Sequence, residues 1–288
     1  ALKFRPGINR EVTSYSNEGG YFDGDKIRFR MGFPEKIGGW EKYSPNQYLG
    51  SARRLHNWIA LDSSNFLGIG THLKYYIEEG TTFNDITPIR QTTSAGYVTF
   101  SASNGSATIT VTDTSHGAVE NDFVTFSDAA TLGGNITAAV LNQEYQVVSV
   151  SSANAFTITA KDTDGSTVTA NSSDSGNGGS STVGAYQINT GLSDYVSATG
   201  WGANPWGDNT WGSGAALSVA GQLRMYSQDN FGEDLVFNVR NGGIYYWDQS
   251  SGLNSRGVDI NSLGCLLYTS PSPRDQRGSG MAACGCKK

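Results

Sequence analysis

The chain is poor in charge and in proline, and it has no long apolar run. Only 16% of its 288 residues are charged and seven are proline. No stretch of 18 apolar residues occurs, which excludes a transmembrane helix. The opening residues, Ala1-Leu2-Lys3-Phe4-Arg5-Pro6, lack the apolar centre of a secretory signal. They are expected to be a natural start from which Met has been lost. Cysteine is nearly absent: Cys265, Cys284 and Cys286 all lie beyond position 264. The three histidines, His56, His72 and His116, are scattered. Before residue 264 there is no HExxH, no paired CxxC and no GxSxG. Zinc sites and serine-nucleophile elbows are therefore not expected.

The last residues need separate treatment. Residues 265–275 read Cys-Leu-Leu-Tyr-Thr-Ser-Pro-Ser-Pro-Arg-Asp. This string resembles the translated end of a transposase-based sequencing adapter. Residues 264–288 are accordingly read as a non-native, disordered tail and excluded from fold reasoning. The natural reading frame is expected to continue past Leu263. Without the tail, basic residues fall from 20 to 16 and acidic ones from 26 to 25, so the net charge moves from −6 to −9. An acidic chain is a weak candidate for general nucleic-acid binding.

What is abundant is glycine (37) and aromatic residues (14 Tyr, 12 Phe, 6 Trp). Glycine and asparagine supply the positive φ of tight turns, so the mixture suits many short strands. The chain is expected to be all-β, with partial propeller-like blades (antiparallel meanders) and an inserted small β-barrel or sandwich domain. Residues 1–50 read as an extended arm with a first strand. Within 1–54 lie 10 of the 16 basic residues against six acids. Lys26-Ile27-Arg28-Phe29-Arg30 alternates like a strand. The segment is either an arm that wraps over a partner or an ordinary first strand with solvated basic residues.

Residues 51–95 read as a propeller-like meander, with strands over 53–61, 66–71 and 73–78. Residues 188–263 repeat the pattern: a strand over 223–227, a turn over 229–234, and strands over 235–239 and 244–247. Lys74-Tyr75-Tyr76-Ile77 and Ile244-Tyr245-Tyr246-Trp247 are alike. Two copies favour blade-like modules without proving a repeat. Between them, residues 96–187 contain eight acids and one basic residue, Lys161. They read as an inserted β domain with strands over 97–101, 107–112, 123–126, 145–150 and 156–160. Residues 171–181 read as a flexible loop or exit linker.

Candidate chemistry is thin. The acid pairs Asp23/Asp25, Asp162/Asp164 and Glu233/Asp234 are sequence neighbours. Facing carboxylates across a sugar normally come from different strands. Asp162-Thr163-Asp164-Gly165 lacks the later acidic ligand of a calcium loop and reads as a turn. His56 reads as structural. The most unusual feature is Trp201-Gly202, Trp206-Gly207 and Trp211-Gly212, a tryptophan every five residues. It suits a sugar-stacking surface or, favoured here, a compact loop that plugs a subunit contact.

Several stretches together carry a resemblance: Arg5-Pro6-Gly7-Ile8-Asn9, Glu18-Gly19-Gly20-Tyr21, the strand at 26–30, residues 32–40, Gly68-Ile69-Gly70-Thr71, residues 85–90, the Trp-Gly loop and residues 230–235. They resemble short-tailed phage proteins frequent in marine viral sequence, similar to tail-nozzle or packaged-DNA-stabilisation proteins. The resemblance covers most of 1–263 outside the insert. It implies a propeller-containing subunit in a homo-oligomeric ring below the portal, part of the virion and made in the bacterial host cytoplasm. Its partners would be neighbouring tail and portal-adaptor proteins, with non-specific contact to packaged DNA in the channel and no membrane insertion. It implies no active site and no cofactor. The expected assembly contacts are Arg5, Arg10, Lys26, Arg28, Arg30, Trp201, Trp206 and Trp211. The alternative function is a tail fibre or receptor-binding module for host surface glycan; a third reading, a glycan hydrolase, would need facing acids.

Overall fold

A computed structural model of the chain describes residues 5–13, 15–194 and 223–263. Over these residues the protein is all-β, with five antiparallel sheets and a single one-turn α-helix. No helix among them is long and apolar enough to cross a membrane. The chain divides into two units, Ala1–Pro45 and Asn46–Lys288.

The first unit is built around one hairpin, β1 (Ile27–Arg30) and β2 (Phe33–Lys36). Their register pairs Arg28 with Glu35 and Phe29 with Pro34. Met31 and Gly32 make the turn, both at positive φ (50° and 86°), as a two-residue hairpin connection demands. Ile27 and Phe29 are half-buried while Arg28 and Arg30 are exposed, as the alternation predicts. Tyr21 packs edge-on against Phe29 at 5.2 Å. Among its described residues the buried ones are polar, Asn17 and Ser44. A two-stranded hairpin with no buried apolar side chain is at best marginally stable alone.

The second unit begins with a four-stranded meander: β3 (Ala52–Ile59), β4 (Asn65–Thr71), β5 (Tyr75–Glu79) and β6 (Thr82–Asp85), hydrogen-bonded in that order. The sequence pattern gave three strands here. The fourth follows a two-residue turn, Gly80-Thr81, again with both φ positive, and its polar Thr-Phe-Asn-Asp hides the strand.

Nine strands follow before the second meander. β7 (Ile89–Thr92), β10 (Phe123–Ser127), β11 (Glu144–Gln146) and β15 (Val183–Gln187) form one sheet in the order β11-β10-β15-β7. β8 (Thr99–Ala102), β9 (Thr108–Thr112), β12 (Ser149–Ser152), β13 (Ala155–Thr159) and β14 (Asp174–Asn177) form the other, ordered β12-β13-β9-β8-β14. The short helix α1 (Ala138–Leu141) precedes β11 and is capped by Thr137, whose side chain accepts from the Val140 amide. Inward residues of both sheets share one buried cluster that includes Phe100, Val111, Phe126, Leu141, Phe156 and Tyr186. Two sequence expectations need correction. The run at 145–150 is two strands in different sheets. Asp174–Asn177, inside the stretch read as a flexible loop, pairs with β8; a sheet edge can recruit a polar segment that no apolar alternation announces.

The second meander is β16 (Tyr226–Phe231), β17 (Asp234–Val239), β18 (Ile244–Trp247) and β19 (Val258–Asp259), again hydrogen-bonded in sequence order. The strand expected over 223–227 instead starts at Tyr226 and runs to Phe231, and the turn shrinks to Gly232-Glu233, with Gly232 at φ 69°. The two meanders share a second buried cluster. Tyr75 stacks on Phe237 at 4.1 Å, and Trp247 meets Phe66 and Trp58 edge-on at 6.0 and 6.5 Å. Full burial of such a side chain is worth roughly 1.5–3 kcal/mol, and a well-placed aromatic pair adds about 0.5–1.5 kcal/mol. Gly68 and Gly70 make this approach possible. A Cβ on Gly70 would lie 2.5 Å from the Tyr226 ring, and one on Gly68 would lie 2.8 Å from the Tyr75 hydroxyl.

Candidate functional site

The turn between β4 and β5 buries a charge. The Thr71 hydroxyl donates to the Lys74 carbonyl and accepts from the Leu73 and Lys74 amides at 2.8–3.2 Å. This compact turn leaves Lys74 only 3% exposed. Its ammonium donates to Asp85 Oδ2 at 2.7 Å and Glu144 Oε1 at 2.5 Å, and sits 4.4 Å from the Phe123 ring centre. Arg256 reaches the same two carboxylates at 3.4 and 3.6 Å and donates to the Thr87 carbonyl at 2.9 Å. Gln187 donates to Glu144 Oε2 at 2.5 Å. Two cations and two anions thus close a neutral cluster. Its members come from the first meander (Lys74, Asp85), the intervening two-sheet region (Glu144) and the segment between β18 and β19 (Arg256).

The electrostatics follow from that closure. Burial works to raise the Asp85 carboxyl, but the Lys74 and Arg256 charges and hydrogen bonds from Lys74 and Thr87 outweigh it. The group stays below the ordinary carboxylate value. Every oxygen of Asp85 is engaged, so the cluster offers fixation of three segments and no free acid or base.

A cleft of about 870 Å³ lies nearby, lined by His72, Arg90, Asn189, Thr190, Arg224 and Arg240 among others. Arg224 is 5% exposed. It donates to the Asn189 carbonyl and lies 5.5 Å from the Tyr226 ring centre. Arg90 is held by the Gln187 and His116 carbonyls at 3.2 and 2.7 Å. Asp122 accepts from the amides of Val119 and Thr190 at 2.9 and 2.7 Å and from the Asn189 side chain at 2.7 Å. Burial nonetheless pushes its carboxyl up. Burial, then the Arg53 charge, lowers the His72 imidazole, so it accepts the Ser51 amide at 2.9 Å as a neutral ring. The cleft is lined by three arginines, Arg90, Arg224 and Arg240, against a single carboxylate, Glu120. That arrangement can bind or pack but presents no pair of facing acids.

The expected contact residues are placed as follows. Arg10 is paired with Asp23 at 2.5 Å, Lys26 with Asp25 at 4.0 Å and Arg28 with Glu35 at 2.5 Å, all within the first unit. The Arg5 amide donates to the Gly19 carbonyl, and the Arg30 side chain is exposed. Trp201, Trp206 and Trp211 lie outside the described residues. The neighbouring acid pairs serve turns and seams. Asp164 accepts the Ser166 amide at 2.8 Å, Glu233 accepts the Leu61 amide at 2.7 Å, and Asp234 accepts the Tyr246 hydroxyl. His116 is buried, accepting the Ala118 amide at Nδ1 and donating from Nε2 to the Ser152 carbonyl. No group of three His, Cys, Asp or Glu among the described residues could hold a metal ion. Sequence reasoning missed Lys74, Asp85, Glu144 and Arg256. The only trace of them is a lysine placed directly against the apolar run Tyr75-Tyr76-Ile77.

No protein-family model matches the chain, and no curated protein does. Among solved structures it is similar to a phage phi92 endosialidase, at 15% identity and a TM-score of 0.26. That match covers 79% of this chain, which spans 32% of the endosialidase's own length.

Proposed function

We propose that the protein is a non-enzymatic structural subunit of a tailed-phage particle, a ring-forming component of the tail nozzle or head–tail connector that helps retain packaged DNA. The observation that carries this reading is the face-to-face packing of two four-stranded meanders through an aromatic cluster. Consecutive propeller blades pack in this way, and the sequence resemblance to nozzle proteins implies the same architecture. The charged groups support it from another side. Lys74, Asp85, Glu144 and Arg256 are consumed in joining segments, the use a scaffold makes of buried charge.

The test is direct. Full-length protein at micromolar concentration is expected to show closed rings in negative-stain micrographs and a multiple of the chain mass by light scattering. A protein that stays monomeric at all concentrations overturns the proposal.

A further inference from the structure

Two surfaces of this chain complement one another. The first is the arm, residues 1–45. It exposes Met31 (91%), Phe33 (76%), Trp40 (106%) and Tyr43 (81%), and its own buried residues are polar. Its sequence holds eight basic residues against six acidic ones, while residues 46–263 hold eight against 19. Residues 1–45 are thus +2 and residues 46–263 are −11.

The second surface lies where β3 ends beside the β16–β17 turn. Ile59 (67% exposed), Leu61 (92%) and Phe231 (73%) stand out from it. Glu233 fixes them together: its carboxylate accepts the Leu61 amide, its carbonyl accepts the Trp58 indole N–H at 2.9 Å, and Phe231 is two residues away. Acids rim the patch. Asp62 caps the β3–β4 turn by accepting the Ser64 amide, and Asp229 lies 3.7 Å from His56 with its carboxylate 86% exposed. An exposed apolar group inside an acidic rim is the counterpart of exposed aromatics among arginines and lysines.

We propose that the arm of one copy docks on the patch around Ile59, Leu61 and Phe231 of a second copy, its exposed Arg30 meeting Asp229. The inference rests on the ring reading above and names the contact. A surface that meets a different surface of the next copy is heterologous, and such contacts close into rings when the rotation per subunit allows it. The arm supplies apolar area that has no core to enter, and the patch supplies a place for it. Aromatic anchors carry most of the affinity in interfaces of this kind, and rim charges set partner choice and association rate.

The experiment uses the full chain and reads assembly by light scattering and micrographs. Leu61→Ser combined with Phe231→Ser is expected to weaken association about tenfold or more, with thermal unfolding unchanged because both side chains are exposed. Arg30→Glu and Asp229→Lys are each expected to weaken it about threefold or more. Mixing these two variants is expected to restore assembly, since the altered arm of one and the altered patch of the other then meet with opposite charges. Wild-type rings that withstand all of these changes, or a mixture that fails to recover, overturn the contact and leave the ring reading standing. Recovery only when both changes share one chain places the contact within a single copy and also overturns it. A monomeric wild type removes the ring reading itself, and the contact with it.

Discussion

The two buried clusters of the second unit differ in composition and in reach. Among the described residues, the cluster between the two sheets of the middle region has five aromatics in twenty buried residues, and all of them fall between Val98 and Tyr186. The cluster between the meanders has seven in thirteen, and it joins Trp58 through Ile86 to Ile188 through Trp247. The first is made of β-branched, small and aromatic residues gathered from one continuous stretch. The second brings together residues more than 150 positions apart, such as Tyr75 and Phe237. The difference teaches how each forms. Nearby residues close a cluster at modest entropic cost. A distant pair needs large, rigid side chains that bury much area per ordered residue. Between these two clusters sits the ion cluster, and Glu144 is the residue that ties one region to the other.

Truncation of the largest side chains tests whether the clusters are independent. Phe156→Ala and Phe237→Ala each remove a fully buried ring and are expected to cost about 3–5 kcal/mol. Hydrogen exchange should show the loss of protection confined to 89–187 in the first case and to the meanders in the second. Uniform loss in both would show one cooperative unit and break the comparison. Next in size is the junction. Lys74→Met leaves Asp85 and Glu144 with Arg256 as their one cation and is expected to cost about 3 kcal/mol in urea unfolding. A neutral effect would mean that the cluster does not couple the regions.

The third prediction concerns pH. The folded chain holds the Asp85 carboxyl below its ordinary 3.8, so the unfolded chain takes up that proton first. The stability it contributes is whole above about pH 4 and is lost as pH falls through the folded value. The difference in stability between wild type and Asp85→Asn should therefore shrink below pH 4 and stay constant above pH 5. A difference that does not change at all as pH falls through and below 4 would assign the effect to packing. The smallest effect is expected at Trp247, whose buried indole N–H has no hydrogen-bond partner among the described residues. Trp247→Phe removes an unsatisfied donor along with some volume, and the two offset to within about 1 kcal/mol. A large loss would reveal a hydrogen bond to that nitrogen.

The strands were legible where apolar and polar residues alternate. β9 and β18 fall within a residue of the expected runs because Thr-Ile-Thr-Val-Thr and Ile-Tyr-Tyr-Trp carry their own pattern. β6, β14 and the outer half of β16 were hidden because Asp, Asn, Ser and Gly pair there through backbone alone, recruited by a neighbouring edge. The ion cluster was illegible for a different reason. Its four members lie at positions 74, 85, 144 and 256, and only the packing of three regions brings them within 4 Å. The first strand of the arm was readable from Ile27 and Phe29, but its partner Phe33–Lys36 and the exposure of Trp40 and Tyr43 were not.

One pairing has a consequence for how this gene can vary. The chain departs through β7 and comes back through β15, and these strands are hydrogen-bonded neighbours: Tyr186 opposite Gln91, with the Ile188 amide donating to the Pro88 carbonyl at 3.0 Å. Doorway and exit therefore share one threshold. Recombination could lengthen, shorten or replace material between β8 and β14 while the flanking frame kept its register, provided the β10–β15 pairing and the Glu144 contact to Lys74 were preserved. The middle region is built like a cartridge, and sister genes should differ there first.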